Sequence, residues 1–86
     1  MKRLKLLQVF EVDGITPKRQ TDRWSYTSLQ GKLLRELKPI KVGSHMLLSP
    51  DDAYEPVRST KVQAVDVDGH DMRVLTRNSI YHFELV

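Results

Sequence analysis

The amino-acid sequence predicts a mainly β fold, and three observations support that prediction. Apolar and polar residues alternate through residues 57–86. Two dipeptides in that stretch, at residues 68–69 (Asp-Gly) and 77–78 (Arg-Asn), are typical of tight turns between antiparallel strands. Only residues 28–38 show the apolar spacing of a helix. The predicted order is therefore strand, loop, helix, strand and a three-stranded meander.

The first strand is predicted at residues 3–12. This segment contains six large apolar residues and ends at Asp13-Gly14. Its short length and the glycine that follows it favour a strand over a helix. Residues 13–23 are polar and contain Pro17, so they are predicted to form a loop.

A single helix is predicted at residues 28–38. Thr27 and Gln30 have the spacing of a capping box, in which each side chain satisfies an otherwise unpaired backbone N–H. Pro39 ends the helix, because proline cannot continue it. Gly31 opposes the prediction, since an interior glycine costs about 1 kcal/mol relative to alanine. The apolar stripe consists of Leu29, Leu33, Leu34 and Leu37.

A further strand is predicted at residues 40–48, after the helix. Gly43 within it is interpreted as a β-bulge or as a point where another part of the backbone approaches closely. Residues 49–52, with the sequence Ser-Pro-Asp-Asp, are predicted to form a turn before the meander.

The two predicted turns of the meander agree on one buried face. A type I′ turn at the first dipeptide places Val65 opposite Met72. A two-residue turn at the second places Leu75 opposite Ile80. A slip of one residue would move every side chain to the other face, so the agreement supports the register. The predicted buried face consists of Val65, Val67, Met72, Val74, Tyr81, Phe83 and Leu85.

The other face of the meander is also partly apolar. A sheet with two partly apolar faces is expected to curl or to be covered by another segment. About five short strands and one helix therefore predict a small, partly open SH3-like barrel, with the helix capping one end. The residues assigned to this second face are Val62, Ala64, Leu75, Ile80, Arg73, His82 and Glu84.

Size and composition indicate one globular domain, residues 1–86. Hydrophobic residues make up 40% of the chain and the mean hydropathy is -0.44. No apolar run reaches the roughly 18 residues that a membrane-spanning helix needs, and the apolar start of the chain is interrupted at Gln8 and Glu11. The chain has no cysteine, which excludes disulfides and thiolate zinc sites. We therefore expect a cytoplasmic protein that does not associate with a membrane.

Charge is distributed unevenly along the chain. Residues 1–48 contain ten Lys or Arg and four Asp or Glu, a balance of +6. Residues 49–86 contain four and seven, a balance of −3, and the two halves add to the net +3. A basic half can contact phosphates or an acidic protein surface, although solvated charges on an ordinary surface would also explain it.

The sequence contains no motif typical of an enzyme. The P-loop, GxGxxG, GxSxG and HExxH patterns are all absent. Asp66 and Asp71 are expected to face each other near the first meander turn, where a calcium or magnesium ion could relieve their repulsion. The rest of an EF-hand loop is missing, so a solvated turn is favoured over a metal-dependent enzyme. We predict neither catalytic residues, nor a metal, nor a cofactor.

Basic and aromatic residues lie close together before and within the predicted helix. This combination suits a phosphate backbone with an exposed base, or an acidic protein surface. The alternative is that Trp24 and Tyr26 pack onto the core while the basic residues are merely solvated. The predicted binding residues are Lys18, Arg19, Arg23, Trp24, Arg35 and Lys38.

Two segments, residues 57–62 (VRSTKV) and 75–81 (LTRNSIY), resemble a pattern found in small uncharacterised bacterial and phage proteins. In those proteins an Arg-Ser/Thr-Ser/Thr-x-Val strand precedes a Thr-x-Asn-Ser-x-Tyr hairpin. The resemblance implies a small accessory protein, often from a mobile element, without assigned catalytic residues. In physical terms, Asn78 can adopt left-handed geometry in the turn, and Thr76 and Ser79 can bond its backbone.

These observations predict a non-enzymatic cytoplasmic binding module of the phage or plasmid accessory or inhibitory type. Contact with another protein is favoured, because the second half of the chain is acidic and no continuous basic surface is evident from the sequence. The alternative is a small nucleic-acid-binding β-barrel that uses the basic loop and helix. An exposed first or last strand could also pair with another chain, either as a dimer or by β-augmentation.

Overall fold

The computed structural model describes residues 3–17, 30–51 and 56–86. Each strand is antiparallel to the next one along the chain, and the first pairs with the last, which closes the sheet into a barrel. The mainly β prediction is confirmed, but the barrel is closed instead of partly open. No helix in the described ranges is long and apolar enough to cross a membrane. The strands are β1 (Arg3–Phe10), β2 (Leu33–Glu36), β3 (His45–Pro50), β4 (Val57–Asp68), β5 (Asp71–Thr76) and β6 (Ile80–Leu85).

The predicted helix is wrong over the part of it that the structure describes, residues 30–38. Leu34 of β2 pairs with Leu4 of β1 on one side and with Pro50 of β3 on the other. Gly31 has a φ of 83°, which a right-handed helix does not accommodate. Residues 28 and 29 of that prediction lie outside the described ranges. Closure of the barrel requires a strand at this place, and that requirement prevails over the helical spacing of the leucines.

The core lies inside the barrel and is built from alternate side chains of all six strands. Phe83 is at its centre and is fully buried, with its ring stacked on Tyr81 at 6.1 Å between centroids and 7° between planes. Ile40, Val57 and Leu85 pack against the core from its margin. The buried hydrophobic residues are Leu4, Leu6, Val9, Leu34, Met46, Leu48, Val62, Met72, Val74, Tyr81 and Phe83.

The first turn of the meander differs from the prediction by one residue. Gly69 and His70 form the loop, and Asp68 pairs with Asp71 across it. Gly69 has a φ of 62° and His70 does not have a positive φ, which is the combination of a type II′ turn and not of type I′. The cross-strand pairing is thereby shifted by two residues, and a shift of two leaves the same side chains on the same face.

The second turn has the predicted register. Leu75 lies opposite Ile80, and the backbone N–H of Thr76 donates to the carbonyl oxygen of Ser79 at 2.8 Å. The Thr76 hydroxyl donates to the same oxygen at 3.1 Å, which agrees with the turn chemistry expected from the sequence. Asn78 does not have a positive φ, so the left-handed geometry predicted for it is wrong.

The structure corrects two further predictions for β4: the face on which Val62 lies, and the burial of Val65 and Val67. The pairing of β4 with β5 shifts between Val62 and Ala64, which turns Val62 into the core instead of onto the outer face. Val65 and Val67 do share a face with the core residues of β5, but they are 37% and 54% exposed. They are exposed because the second half of β4 extends past the end of β3.

The third strand begins later than predicted. Residues 42 and 43 form a turn, and β3 starts at His45 and continues through Ser49 and Pro50, where a turn was expected. Gly43 has a φ of 92°, and no atom of another part of the chain lies within 4 Å of the place where a Cβ would be. This glycine therefore provides a positive φ for the turn and does not mark a close approach.

Candidate binding surface

Basic side chains lie on the outer surface of three of the first four strands, β1, β2 and β4. In β1 the buried Leu4 and Leu6 alternate with Arg3 and Lys5, whose side chains therefore point outward. The same alternation places Arg35 of β2 outside, together with Leu33 and with Leu47 of β3. In β4 the pairing with β3 shifts between Arg58 and Lys61, and this bulge leaves both side chains outside although they are three residues apart. We call this surface the basic face. It consists of Arg3, Lys5, Leu33, Arg35, Leu37, Leu47, Arg58 and Lys61.

The strand register makes the basic face continuous. Arg3 lies directly opposite Arg35, and Leu47 lies directly opposite Arg58. His45 and Lys61 face each other two residues further along β3 and three along β4, beyond the bulge. Directly opposed residues have their Cβ atoms only about 4.5–5.5 Å apart, so these side chains are neighbours although they come from distant parts of the sequence.

One carboxylate partly neutralises the two arginines. Asp51 Oδ2 lies 4.0 Å from Arg3 Nη1, and Asp51 Oδ1 lies 3.7 Å from Arg35 Nε. All three side chains are at least one-third exposed, and ion pairs of this kind contribute only about 0–1 kcal/mol. The arginines therefore keep most of their capacity to bind an external anionic group.

Apolar surface lies between the cations. Leu37 is 41% exposed, and its backbone N–H donates to the carbonyl oxygen of Leu47 at 2.9 Å, which extends the β2–β3 pairing by one residue. Leu37 also borders a cavity of about 170 Å³ together with Lys38 and Pro39. Glu36 Oε2 accepts a hydrogen bond from the backbone N–H of Ile40 at 3.0 Å, which holds the chain around this cavity. The basic face thus offers leucine side chains beside its positive charges.

The binding residues predicted from the sequence have different outcomes. Arg35 lies on the basic face in β2, and Lys38 is exposed just beyond the end of that strand. Lys18, Arg19, Arg23 and Trp24 lie outside the described residues.

Four basic residues on this surface were missed by the sequence reasoning. Arg3, Lys5, Arg58 and Lys61 were not among the predicted binding residues, yet they lie on the same outer surface as Arg35. The signal for Arg3 and Lys5 was present in the sequence, because basic and apolar residues alternate at positions 3–6 and a strand places alternate residues on opposite faces.

The hairpin between β4 and β5 carries the opposite charge. Asp68 lies opposite Asp71, whereas Asp66 lies opposite Arg73, so the predicted facing pair of Asp66 and Asp71 is wrong. His82 Nε2 lies 3.3 Å from Asp71 Oδ1. Within residues 3–17, 30–51 and 56–86, no group of three His, Asp or Glu residues is arranged to hold a metal ion.

The loop after β1 is held by Asp13. Its Oδ2 accepts a hydrogen bond from the Thr16 hydroxyl at 2.6 Å, and its Oδ1 accepts from the backbone N–H groups of Thr16 and Ile15, each at 2.9 Å. These bonds, the Thr16 hydroxyl first, favour the charged carboxylate and hold the pKa of Asp13 below its ordinary value of 3.8.

A mutation of Thr16 is expected to raise the pKa of Asp13. In the wild type the loop hydrogen bonds are fully present above the ordinary carboxyl pKa and are lost as the pH falls through the lowered value. Thr16→Val removes the largest cause, so the Asp13 titration measured by NMR should move up toward 3.8, whereas Thr16→Ser should leave it low. An unchanged titration in Thr16→Val would show that the hydroxyl does not hold the charge.

The fold and the surface together define a small closed β-barrel with a basic face on the outside of β1 to β4 and an acidic hairpin between β4 and β5. No protein-family model, curated protein or solved structure matches this chain.

Proposed function

We propose that this protein is a non-enzymatic binding module whose basic face contacts an acidic, partly apolar surface of a protein partner. The observation that supports this proposal is the direct cross-strand placement of Arg3 beside Arg35 and of Leu47 beside Arg58. Because these side chains are attached to paired strands of a closed barrel, little backbone ordering is needed when a partner binds.

The leucines favour a protein partner over a nucleic acid. Protein interfaces combine an apolar centre with arginine, and they are depleted in lysine relative to the rest of the surface. Leu37 and Leu47 lie beside each other among the cations. Their apolar side chains can pack against a protein surface but make no favourable contact with a charged phosphate backbone. Aromatic residues for base stacking are also absent from the described part of the basic face.

A nucleic acid is the second candidate, and the opposed pair of Arg3 and Arg35 favours it. Two guanidinium groups at neighbouring positions, both close to the carboxylate of Asp51, can contact phosphate oxygens. In that case binding would rest mainly on charge and would weaken steeply with salt.

The cellular role is a proposal that rests on the sequence resemblance of residues 57–62 and 75–81. On this basis we propose a cytoplasmic accessory or inhibitory protein of the phage or plasmid type. The assignment of the barrel to the SH3-like kind stays a prediction as well.

Reversal of one charge on the basic face tests the proposal. The probes are a short labelled peptide composed of Glu, Asp and Leu, a matched peptide with Ser in place of Leu, and mixed-sequence single-stranded DNA and RNA. We expect the leucine-containing peptide to bind best, and Arg35→Glu to weaken it roughly tenfold, which corresponds to about 1.4 kcal/mol. Fluorescence anisotropy provides the affinities.

Arg77→Glu is the matched control, because it makes the same charge change at the exposed turn between β5 and β6. It should reduce peptide binding far less than Arg35→Glu does. Equal losses in the two variants would mean that net charge, and not the basic face, determines binding. Tighter binding of DNA or RNA, falling steeply between about 50 and 200 mM salt, would replace the protein partner with a nucleic acid.

A further inference from the structure

The second half of β4 has an edge that no strand among the described residues covers. The pairing of β3 with β4 ends at His45 and Lys61. The last backbone bonds on this side join Val62 to Ser44 at 2.9 Å and to Gly43 at 2.8 Å. Beyond this point the chain of β3 turns away, and residues 64–68 pair only with β5 within the described ranges.

The turn geometry determines which backbone groups this edge presents. Asp68 and Asp71 flank the two-residue loop, so their backbone groups bond each other across the hairpin. Bonded and non-bonded pairs alternate along an antiparallel ladder. The N–H and C=O groups of Val65 and Val67 therefore point away from β5, toward the free edge. Such unpaired groups are a template for an added strand.

The side chains along this edge differ between its two faces. Val65 and Val67 project to one face and are partly exposed, by 37% and 54%. Asp66 and Asp68 project to the other, where Asp68 also faces Asp71 across the hairpin. Like charges directly opposite each other destabilise a sheet, and a cationic group placed between them would relieve the repulsion.

The acidic face has room for basic side chains. The carboxylates of Asp66, Asp68 and Asp71 and the guanidinium of Arg73 surround a hollow of about 250 Å³. A second hollow, of about 140 Å³, adjoins Asp66 and has Ala64, Leu75 and Ile80 in its lining. The methylene groups of a lysine or arginine could pack in the apolar hollow while the charged group reaches a carboxylate.

We propose that the free edge of β4 binds an extended segment of a protein partner in which apolar residues alternate with lysine or arginine. The segment adds to the sheet as a further strand. Its apolar side chains cover Val65 and Val67, and its basic side chains meet Asp66 and Asp68. This surface is separate from the basic face, so the protein has two docking surfaces of opposite charge.

Charge also decides against a second copy as the occupant. Two copies of this edge paired with each other would align the carboxylates of Asp66 and Asp68 with those of the other copy on the same face. Such an arrangement adds like-charge repulsion instead of relieving it.

Amide hydrogen exchange tests the proposal on the full chain. The probe is a short peptide of alternating Lys and Val, compared with a Glu-Val peptide and with a Lys-Val peptide of scrambled order. We expect the Lys-Val peptide to slow exchange of the Val65 and Val67 amides at least tenfold. The Asp66 amide should change little, because its N–H already bonds to β5. Binding without protection of Val65 and Val67, or equal binding of the Glu-Val peptide, would overturn the proposal.

Two variants locate the contact. Val67→Pro removes an outward N–H without removing a bond to β5, and Asp68→Lys reverses the charge. Each should reduce binding of the Lys-Val peptide at least tenfold, whereas Glu36→Lys on β2, a charge reversal on a different strand, should reduce it much less. If Val67→Pro fails to fold, Asp68→Lys alone decides, and unchanged binding in it contradicts the proposal. Protection of the two amides that rises with protein concentration and without peptide would instead identify a second copy as the occupant.

Discussion

Replacement of Phe83 by alanine is expected to lower the free energy of unfolding by about 3–5 kcal/mol. The ring of Phe83 is fully buried, lies opposite Leu6 on one side and Met72 on the other, and stacks on Tyr81. Its removal leaves a cavity that six paired strands cannot readily collapse around. Small domains have a total stability of only about 5–15 kcal/mol, so this one substitution removes a large fraction of it.

Urea denaturation followed by circular dichroism measures this effect. Phe83→Leu is the matched control, since it keeps most of the apolar volume and should lose clearly less than Phe83→Ala. Glu84→Ala, at the next and exposed position of β6, should stay within about 0.5 kcal/mol of the wild type. A loss below about 1 kcal/mol for Phe83→Ala would mean that Phe83 is not at the centre of the core.

Leu34 and Leu33 are expected to respond very differently to the same mutation. In β2, Leu34 is fully buried inside the barrel, whereas Leu33 faces outward and is partly exposed. Leu34→Ala should therefore cost about 2–5 kcal/mol, and Leu33→Ala about 1 kcal/mol or less. Urea denaturation of both variants measures the difference, and Leu37→Ala should resemble Leu33→Ala.

This comparison also distinguishes the strand assignment of β2 from the helix that the sequence predicted for the same residues. In a helix over residues 28–38, Leu33, Leu34 and Leu37 would share one buried stripe, and all three mutations would be costly. Similar losses for Leu33→Ala and Leu34→Ala would therefore contradict the strand assignment of β2.

The meander was predictable because the sequence pattern that determines it lies within short segments of the chain. Alternation of apolar and polar residues over 57–86, together with short turns, determines which side chains share a face. The first turn lies one residue later than predicted, at Gly69 and His70, but the pairing shifts by two and the face is unchanged. The bulge after Val62 was missed, although the apolar residues change phase there: Val62 and Val65 are three positions apart, and both lie on the core face.

The helix prediction failed for a reason that lies outside its own segment. Leu29, Leu33, Leu34 and Leu37 have helical spacing, but β1 needs a neighbour and β3 needs one as well. The four residues of β2 supply both and bury Leu34 at the same time. The energy of these contacts outweighs a local helical preference of a few tenths of a kcal/mol per residue.

The candidate surface was only partly predictable. Arg35 was identified from the sequence as a basic residue on a helix, and it lies instead on a strand opposite Arg3. Arg58 and Lys61 belong to the second, acidic half of the chain. A comparison of the net charges of the two halves therefore did not group them with the basic residues of the first half. Cross-strand register, which joins residues tens of positions apart, determines which charges are neighbours.

The sequence by itself determined that this chain is mainly β, that residues 57–86 form three antiparallel strands, and that most of their buried side chains share one face. These features depend on alternation and turn chemistry within a few residues, which a single segment contains in full. Only the tertiary structure decided that β1 closes onto β6, that β2 is a strand, and that the basic residues of β1, β2 and β4 form one face. Those outcomes depend on pairing between distant segments, because each strand's partner, and not its own sequence, satisfies its backbone hydrogen bonds.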